Sequence, residues 1–131
     1  MERLKERIEL ANKALISFCE AVMIKEVSTL IRDATIQRFE FSFEASWKAV
    51  KQYLFDQEGL DIGSPKGVIR SCKEIGMLSD EEAIQALKMV DDRNLTMHTY
   101  NEVLTEEIFT KMPQYYALLE KWIGKIDEEL K

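Results

Sequence analysis

Residues 93–100, Arg-Asn-Leu-Thr-Met-His-Thr-Tyr, contain the only histidine of the chain, His98, which lies five residues after Arg93. Histidine has an unperturbed pKa of about 6.5 and can accept or donate a proton near neutral pH. Arginine stays protonated, and its fork of N–H donors matches the oxygens of a phosphate. These two residue types together predict chemistry on a phosphate, and we refer to residues 93–100 as the octet.

The spacing of Arg93 and His98 does not bring them together on an ideal helix. Five residues turn an α-helix by about 140°, so the two side chains point in different directions. Either the helix ends or distorts within the octet, or a second copy of the chain contributes its octet across a two-fold axis. In the structural alternative, His98 is an ordinary core or interface histidine and Tyr100 packs. Arg93 then pairs with Asp91 or Asp92.

The helix that carries the octet is predicted to begin at a capping box, Ser79 to Glu82, whose side chains can each satisfy a backbone donor. Its apolar positions run onto polar residues of the octet, in the order Ala83, Leu87, Val90, Asn94 and then Met97 or His98. A buried polar side chain costs free energy unless it is hydrogen-bonded. We therefore expect this face to meet a partner, a water-filled cleft or a paired polar network, in which Asn94 and His98 can touch.

Three further stretches have apolar residues at steps of three and four, the spacing of an amphipathic helix. The first comprises Leu4, Ile8, Ala11, Leu15, Phe18 and Val22. The second comprises Ile36, Phe39, Phe43, Trp47, Val50 and Leu54. The last comprises Ile108, Met112, Tyr115, Leu119, Trp122 and Ile126.

Glycine, serine and proline residues predict where these helices begin and end. Gly59 is expected to stop the second helix in a left-handed cap. Ser64 as N-cap and Pro65 in the first turn predict a short third helix that ends near Gly76. Pro113 cannot donate a backbone hydrogen bond and is expected to kink the last helix.

Length and composition favour one helical domain. The 131 residues, of which 46% are hydrophobic, can bury a core without disulfides or a structural metal. We find no strand-like alternation, repeat or linker in the sequence. The predicted fold is all-α, an antiparallel, up-and-down four-helix bundle with one additional short helix, as a single domain over residues 1–131.

Charge and cysteine content limit the candidate partners and the compartment. The formal net charge is -6, so the chain as a whole repels nucleic acid and anionic membranes. Any contact with nucleic acid must therefore be local. Cys19 and Cys72 lie singly within helical patterns, which indicates buried thiols in a reducing cytoplasm. We expect neither a leader peptide nor a membrane-spanning segment.

The second helix offers a second candidate site. Glu40, Glu44 and Lys48 lie four residues apart on one face, which could place a carboxylate near the octet. An ordinary Glu-to-Lys pair, worth about 0.3–0.5 kcal/mol, is the simpler interpretation. The aromatic residues of this helix follow its apolar spacing and are expected in the core rather than as base-stacking platforms: Phe39, Phe43 and Trp47.

The octet has the form Arg, four residues, His, one residue, Tyr, and this pattern resembles the signature of the HEPN superfamily. Residues 38–48, Arg-Phe-Glu-Phe-Ser-Phe-Glu-Ala-Ser-Trp-Lys, and the helix start Ser64-Pro65-Lys66 resemble the nucleotidyltransferase substrate-binding protein family within it. The likeness extends from about Phe39 to Trp122. It implies a helical-bundle homodimer that associates with a minimal nucleotidyltransferase encoded nearby. In related toxin–antitoxin pairs, the transferase silences its partner by adenylylating the tyrosine of this pattern.

The resemblance also assigns roles to the residues of the octet. By this resemblance, Arg93 holds a phosphate and Asn94 is the polar substrate-binding residue beside it. His98 acts as acid or base, and Tyr100 is the modification site. The resemblance implies neither a metal nor a cofactor, and the candidate ligands are a nucleotide or RNA. Cleavage of RNA by its 2′-hydroxyl needs a group that moves protons and a cation that stabilises charge on phosphorus, which these residue types can supply.

Three functions remain open at this point. The first is a substrate- or nucleotide-binding partner subunit of a two-component nucleotidyltransferase system. The second is a metal-independent endoribonuclease that uses Arg93 and His98 and is silenced through Tyr100. The third is a structural dimer that only positions another protein. By the same resemblance, the partner transferase carries Gly-Ser, ten residues and then Asp-x-Asp. This chain has a single Gly-Ser, Gly63-Ser64, and no Asp-x-Asp, so it is not itself the transferase.

Overall fold

The computed structural model of the protein describes residues 2–131, and every regular element within them is an α-helix. In chain order the helices are α1 (Glu2–Val22), α2 (Thr29–Glu58), α3 (Pro65–Glu74), α4 (Asp80–His98), α5 (Glu102–Phe109) and α6 (Met112–Glu129). None of these helices is long and apolar enough to cross a membrane. The all-α prediction is confirmed, but this part of the chain has one helix more than the sequence predicted.

The longest helix, α2, has the boundaries that its capping residues require. The Ser28 side chain accepts a hydrogen bond from the amide of Ile31 at the start. At the end, Gly59 has a φ of 68°, and its amide bonds back to the carbonyls of Leu54 and Phe55. The left-handed stop predicted at Gly59 is confirmed. At a rise of about 1.5 Å per residue, the 30 residues of α2 span about 45 Å.

The predicted starts of α3 and α4 are also confirmed. The Ser64 side chain accepts the amide of Gly67, 3.1 Å away, and Pro65 occupies the first turn of α3. The Ser79 Oγ accepts the Glu82 amide at 3.1 Å, while the Glu82 carboxylate accepts the Ser79 amide at 2.9 Å. This reciprocal pair is the predicted capping box.

The prediction of one kinked helix at the end of the chain is wrong. The helical chain breaks at Thr110 and Lys111, which separate α5 from α6, and Pro113 lies in the first turn of α6. An amide in the first turn has no partner within the helix, so a proline there loses nothing, whereas inside a helix it removes a hydrogen bond. The proline therefore starts a helix here instead of bending one.

The core forms where α1, α2 and α6 pack together, with α3 and α4 packed on each other beside it. Aromatic rings join the three central helices, with the Phe39 ring 5.9 Å from Phe18 and 5.5 Å from Tyr115 between centroids. Trp47 is 9% exposed, and Phe39 and Phe43 are fully buried. The prediction that these three aromatic residues belong to the core is confirmed.

The face that α4 buries ends earlier than its apolar pattern predicted. Leu87 is half-buried, and both Asn94 and His98 are exposed, so they enter no buried face within one chain, and the expected partner or cleft at this face stays a prediction. The buried residues of α4 are Ala83, Ala86, Met89, Val90 and Asp92. The last turn of α4, residues 95–98, contributes no buried side chain.

Asp92 is the buried polar residue of α4. Its carboxylate accepts a 2.5 Å hydrogen bond from the Tyr115 hydroxyl and lies 3.2 Å from the Lys111 ammonium, so the buried charge is paired. Burial and this bond to Asp92 raise the pKa of Tyr115 far above its usual range. The contact ties α4 to α6 just before the octet.

The two cysteines differ in burial. Cys72 is fully buried, as predicted, and this burial raises the pKa of the thiol to about 11. Cys19 is only partly buried, so the prediction for it was too strong. Both thiols are free.

Candidate functional site

The octet spans the end of α4 and the turn that follows. α4 ends at His98, and a three-residue connection leads to α5. Thr99 closes α4 with its amide, and the Asn101 side chain caps α5 by accepting the Leu104 amide at 3.1 Å. Tyr100 lies between these two caps. α4 therefore ends only after His98, so Arg93 and His98 both lie on the helix and its end does not bring them together.

The Arg93 guanidinium lies against α2. Its Nη2 donates to the Glu44 Oε2 at 2.9 Å, and its central carbon lies 4.8 Å from the centroid of the Phe43 ring. Its Nη1 approaches Asn94 Oδ1 at 3.3 Å and Met97 Sδ at 3.6 Å, both long contacts. The Nε is buried and has no hydrogen-bond partner among the described residues. The Nε–H of Arg93 is therefore a buried donor without an acceptor in the described chain.

The pairing of Arg93 with Asp91 or Asp92, which belonged to the structural alternative, is not present. Asp91 forms an ion pair of 2.7 Å with Lys66, and Asp92 binds Tyr115 in the core. Successive residues of a helix point about 100° apart, so the two aspartates face away from the arginine. Arg93 instead reaches across to the neighbouring helix.

Glu44 collects three donors. It accepts hydrogen bonds from Trp47 Nε1 at 3.1 Å and from Arg93, and it forms an ion pair of 3.1 Å with Lys48. Partial burial alone raises the pKa of Glu44, but these bonds and the two positive charges bring the pKa below its usual value. The predicted pair with Lys48 is present, and the same carboxylate also contacts the octet. Glu44 therefore forms the ordinary pair with Lys48 and also places a carboxylate beside the octet.

A second carboxylate of α2 contacts the octet through Thr96. The Thr96 hydroxyl lies 2.8 Å from the Glu40 carboxylate and 2.9 Å from the Arg93 carbonyl oxygen. Because a hydroxyl carries one proton, it donates to one of these acceptors at a time or shares the proton between them. Glu40 and Glu44 thus hold the last two turns of α4 against α2.

Tyr100 does not pack, contrary to the structural alternative. Its ring is 80% exposed, and its hydroxyl donates to Glu102 Oε1 at 2.6 Å. This hydrogen bond raises the pKa of the Tyr100 phenol above its usual value. Bonds from Arg32 and then from Tyr100 lower the pKa of the Glu102 carboxyl to about 2.

Arg32, which no sequence pattern singled out, holds this tyrosine turn in place. Arg32 is 2% exposed and donates to Glu102 at 2.8 and 3.2 Å and to Glu106 at 2.6 Å. Its third acidic partner is Asp33, 3.0 Å away. Glu102 and Glu106 are four residues apart, which signals a shared helix face, but no pattern in the sequence points from them to Arg32.

His98 is exposed at the last residue of α4. Within residues 2–131, no hydrogen bond or ion pair joins His98 to Arg93. One chain therefore does not bring these two groups into contact, as their spacing predicts. The arginine faces α2 and Glu44, while the histidine faces solvent.

A groove of about 510 Å³ lies between the first half of α2 and the turn that carries Tyr100. Its walls include Leu30 and Gln37 together with the carboxylates of Asp33 and Glu40, and none of its lining residues is basic. The groove thus offers no positive charge to a phosphate, and Arg93 lies outside it. Over the described part of the chain, no cluster of His, Cys, Asp and Glu side chains is arranged to hold a metal ion.

Comparison with known proteins identifies relatives of the chain. Probable ribonuclease HepT of Haemophilus influenzae is 33% identical over 92 residues, which are 66% of this chain and 60% of that protein. The match therefore spans less than two thirds of that relative's length. The crystal structure of a protein from Thermus thermophilus is 52% identical and superposes with a TM-score of 0.84, covering 88% of this chain and 98% of that chain.

The sequence also matches the family described as "Nucleotidyltransferase substrate binding protein like" over residues 6–128. This agrees with the resemblance carried by the octet and by residues 38–48. Because the match covers nearly the whole chain, the protein belongs to the nucleotidyltransferase substrate-binding protein family of the HEPN superfamily.

Proposed function

We propose that this chain is the helical partner subunit of a minimal nucleotidyltransferase encoded nearby, and that Tyr100 receives a nucleotidyl group from that enzyme. The observation that carries the proposal is the 80% exposure of Tyr100. Tyr53 and Tyr115 are buried and Tyr116 is half-buried, so Tyr100 is the tyrosine that a second enzyme can reach. Membership of a family named for nucleotidyltransferase substrate binding supports the same partner.

Arg93 and Asn94 are the proposed contacts for a phosphate. The buried Nε of Arg93 lacks an acceptor within residues 2–131, and an unpaired buried donor is costly, so a shift of the guanidinium that brings this donor to a phosphate oxygen is favourable. The Asn94 amide is exposed and lies beside the guanidinium. An adenylyl group on Tyr100 adds a phosphate and a base near these residues, which makes the modification an electrostatic switch.

The test is to mix the chain with the neighbouring transferase and ATP and to measure its intact mass. We expect the mass to increase by one AMP in the wild type and in Tyr116→Phe, but not in Tyr100→Phe. Co-purification of the two proteins is expected as well. An unchanged wild-type mass in the presence of active transferase contradicts the modification.

A second candidate function is metal-independent cleavage of RNA by Arg93 and His98, silenced when Tyr100 is modified. The relative named as a probable ribonuclease favours it. Since the two groups do not meet within one chain, this function requires a homodimer in which each octet completes the other. The net charge of -6 restricts any RNA contact to the neighbourhood of the octet.

Expression of the wild type and His98→Ala without the transferase separates the two functions. If the chain cleaves RNA, the wild type slows growth and degrades RNA, and His98→Ala does neither. Equal growth and equal RNA integrity in both strains exclude the ribonuclease. A dimer that only positions another protein, the third alternative, is unaffected by changing Arg93 and binds no nucleotide.

We also propose that α1, α2, α4 and α6 form an up-and-down four-helix bundle and that the protein works in the cytoplasm. The free thiols of Cys19 and Cys72 support the compartment. Contacts between α1 and α2 and between α4 and α6 support the alternating directions. In each pair, a residue near the start of one helix contacts a residue nearer the end of the other, as in antiparallel helices. These contacts are Arg7 with Lys48, Ser17 with Arg38, Glu82 with Lys121, and Asp92 with Lys111.

A further inference from the structure

We propose that Glu102 is the proton acceptor for Tyr100 when this tyrosine receives its nucleotidyl group. This inference rests on the proposed function, since it describes how the acceptor hydroxyl is prepared. The base in the transfer then comes from this chain, from Glu102 just after the octet, and not from the transferase.

The geometry of the phenol carries the inference. The Tyr100 hydroxyl donates its proton to Glu102 Oε1 over 2.6 Å, a short and charge-assisted hydrogen bond. The ring itself is 80% exposed, so the oxygen can be approached from solvent while its proton remains on the carboxylate side. His98 is only two residues away but makes no hydrogen bond to this phenol within the described chain.

The Glu102 carboxylate is held in one orientation. Arg32 donates from Nη1 to one carboxylate oxygen at 2.8 Å and from Nη2 to the other at 3.2 Å. This two-point contact fixes the plane of the carboxylate, and Arg32 is 2% exposed and therefore cannot swing away into solvent. Glu102 is also the first residue of α5, where the helix dipole favours a negative charge.

Among the charged groups around the phenol, Arg32 keeps the Glu102 carboxylate ionised. Arg32 faces Glu102 from α2, with Asp33 beside it, and Glu106 binds the same arginine from the next turn of α5. The hydrogen bond from Arg32 is the main reason that the pKa of Glu102 falls to about 2. Glu102 is therefore ready to accept a hydrogen bond at any pH near neutrality.

The transfer step balances with a nucleoside triphosphate as the co-reactant. The phenolic oxygen of Tyr100 forms a bond to the α-phosphorus, and the bond from this phosphorus to the β-bridging oxygen breaks. Pyrophosphate leaves with that electron pair. As the new bond forms, the phenolic oxygen loses electron density and its proton becomes strongly acidic, so even a weakly basic carboxylate accepts it. The proton ends on Glu102.

The decisive variants are Glu102→Gln and its control, Glu106→Gln. Both remove one carboxylate from Arg32, and each variant keeps the other carboxylate on this arginine, but only Glu102 touches the phenol. With saturating transferase and ATP, we expect Glu102→Gln to slow modification of Tyr100 by at least about 100-fold, the lower range for a lost proton acceptor. Glu106→Gln should stay near the wild-type rate. Equal rates in both variants overturn the inference.

A titration without the transferase separates this inference from the proposed function. The absorbance of the phenolates is followed against pH for each protein and for the same protein with Tyr100→Phe added. The difference between the two curves is the titration curve of Tyr100. We expect Glu102→Gln to lower the pKa of Tyr100 and Glu106→Gln to change it much less. If the wild type is never modified, the proposed function fails. The inference is overturned if modification occurs at an equal rate in Glu102→Gln or if the pKa of Tyr100 is unchanged there.

Discussion

Neutralising Glu44 should make Arg93 a better binding site for phosphate. In the folded chain, the Glu44 carboxylate sits 2.9 Å from the guanidinium and so occupies the side on which a phosphate oxygen would bind. Glu44→Gln keeps the shape and one hydrogen-bond acceptor but removes the negative charge. A phosphate then meets no like charge beside the arginine.

The size of this effect follows from the exposure of the pair. Opposite charges about 4 Å apart attract by about 1 kcal/mol in water and about 4 kcal/mol at a protein surface of effective dielectric 20. The Glu44 side chain is 42% exposed and also binds Lys48, so the lower value is the better guide. A change of about 1 kcal/mol corresponds to about fivefold tighter binding.

The assay is a titration of the chain with AMP, followed by NMR at low ionic strength. Glu40→Gln is the matched control, because Glu40 lies on the same helix face but binds Thr96 rather than the arginine. We expect about fivefold tighter binding in Glu44→Gln only, a gain that shrinks with added salt and disappears with Arg93→Ala. Unchanged or weaker binding in Glu44→Gln, or an equal gain in the control, refutes the reasoning.

Two further predictions concern stability. An ion pair with α6 and the capping box lower the pKa of Glu82 to about 2 from an ordinary 4.5, so its stabilisation is complete above about pH 4.5 and is lost as the pH falls towards 2. Allowing for solvent screening, the loss measured by urea unfolding over that range should be smaller by about 1–2 kcal/mol in Glu82→Gln than in the wild type, and unchanged in Glu81→Gln. Tyr115→Phe should cost about 1–3 kcal/mol in the same assay, because the buried Asp92 loses its hydroxyl partner. Tyr116→Phe should lower the free energy of unfolding by less, because the Tyr116 hydroxyl bonds to the exposed Glu120.

Local signals in the sequence predicted the helix boundaries well. Ser64, Ser79 and Gly59 act through atoms within four or five residues of themselves, so their caps do not depend on the rest of the fold. The break before α6 was missed because Pro113 has two outcomes, a kink or a first turn. The sequence pattern around Pro113 does not decide between these two outcomes.

The long-range contacts of the site could not be predicted in the same way. The partner of Arg93 lies 49 residues earlier, in Glu44, and that of Arg32 lies 70 residues later, in Glu102. Both contacts depend on how α2 packs beside the turn after α4. Neighbouring aspartates are closer in sequence to Arg93, but the turn of the helix directs them elsewhere. The spacing of Arg93 and His98 did predict that an undistorted helix does not bring them together.

The position of Tyr100 between two helix caps has a mechanical consequence. Thr99 closes α4 through its backbone, and Asn101 opens α5 through its side chain, so neither cap uses the phenol. A bulky group on Tyr100 therefore breaks the bond from the phenol to Glu102 but leaves both caps in place, so it can be attached to the folded protein. Such a mark leaves the melting temperature nearly unchanged while it alters the charge of the surface, and a thermal-shift screen for the modification would overlook it.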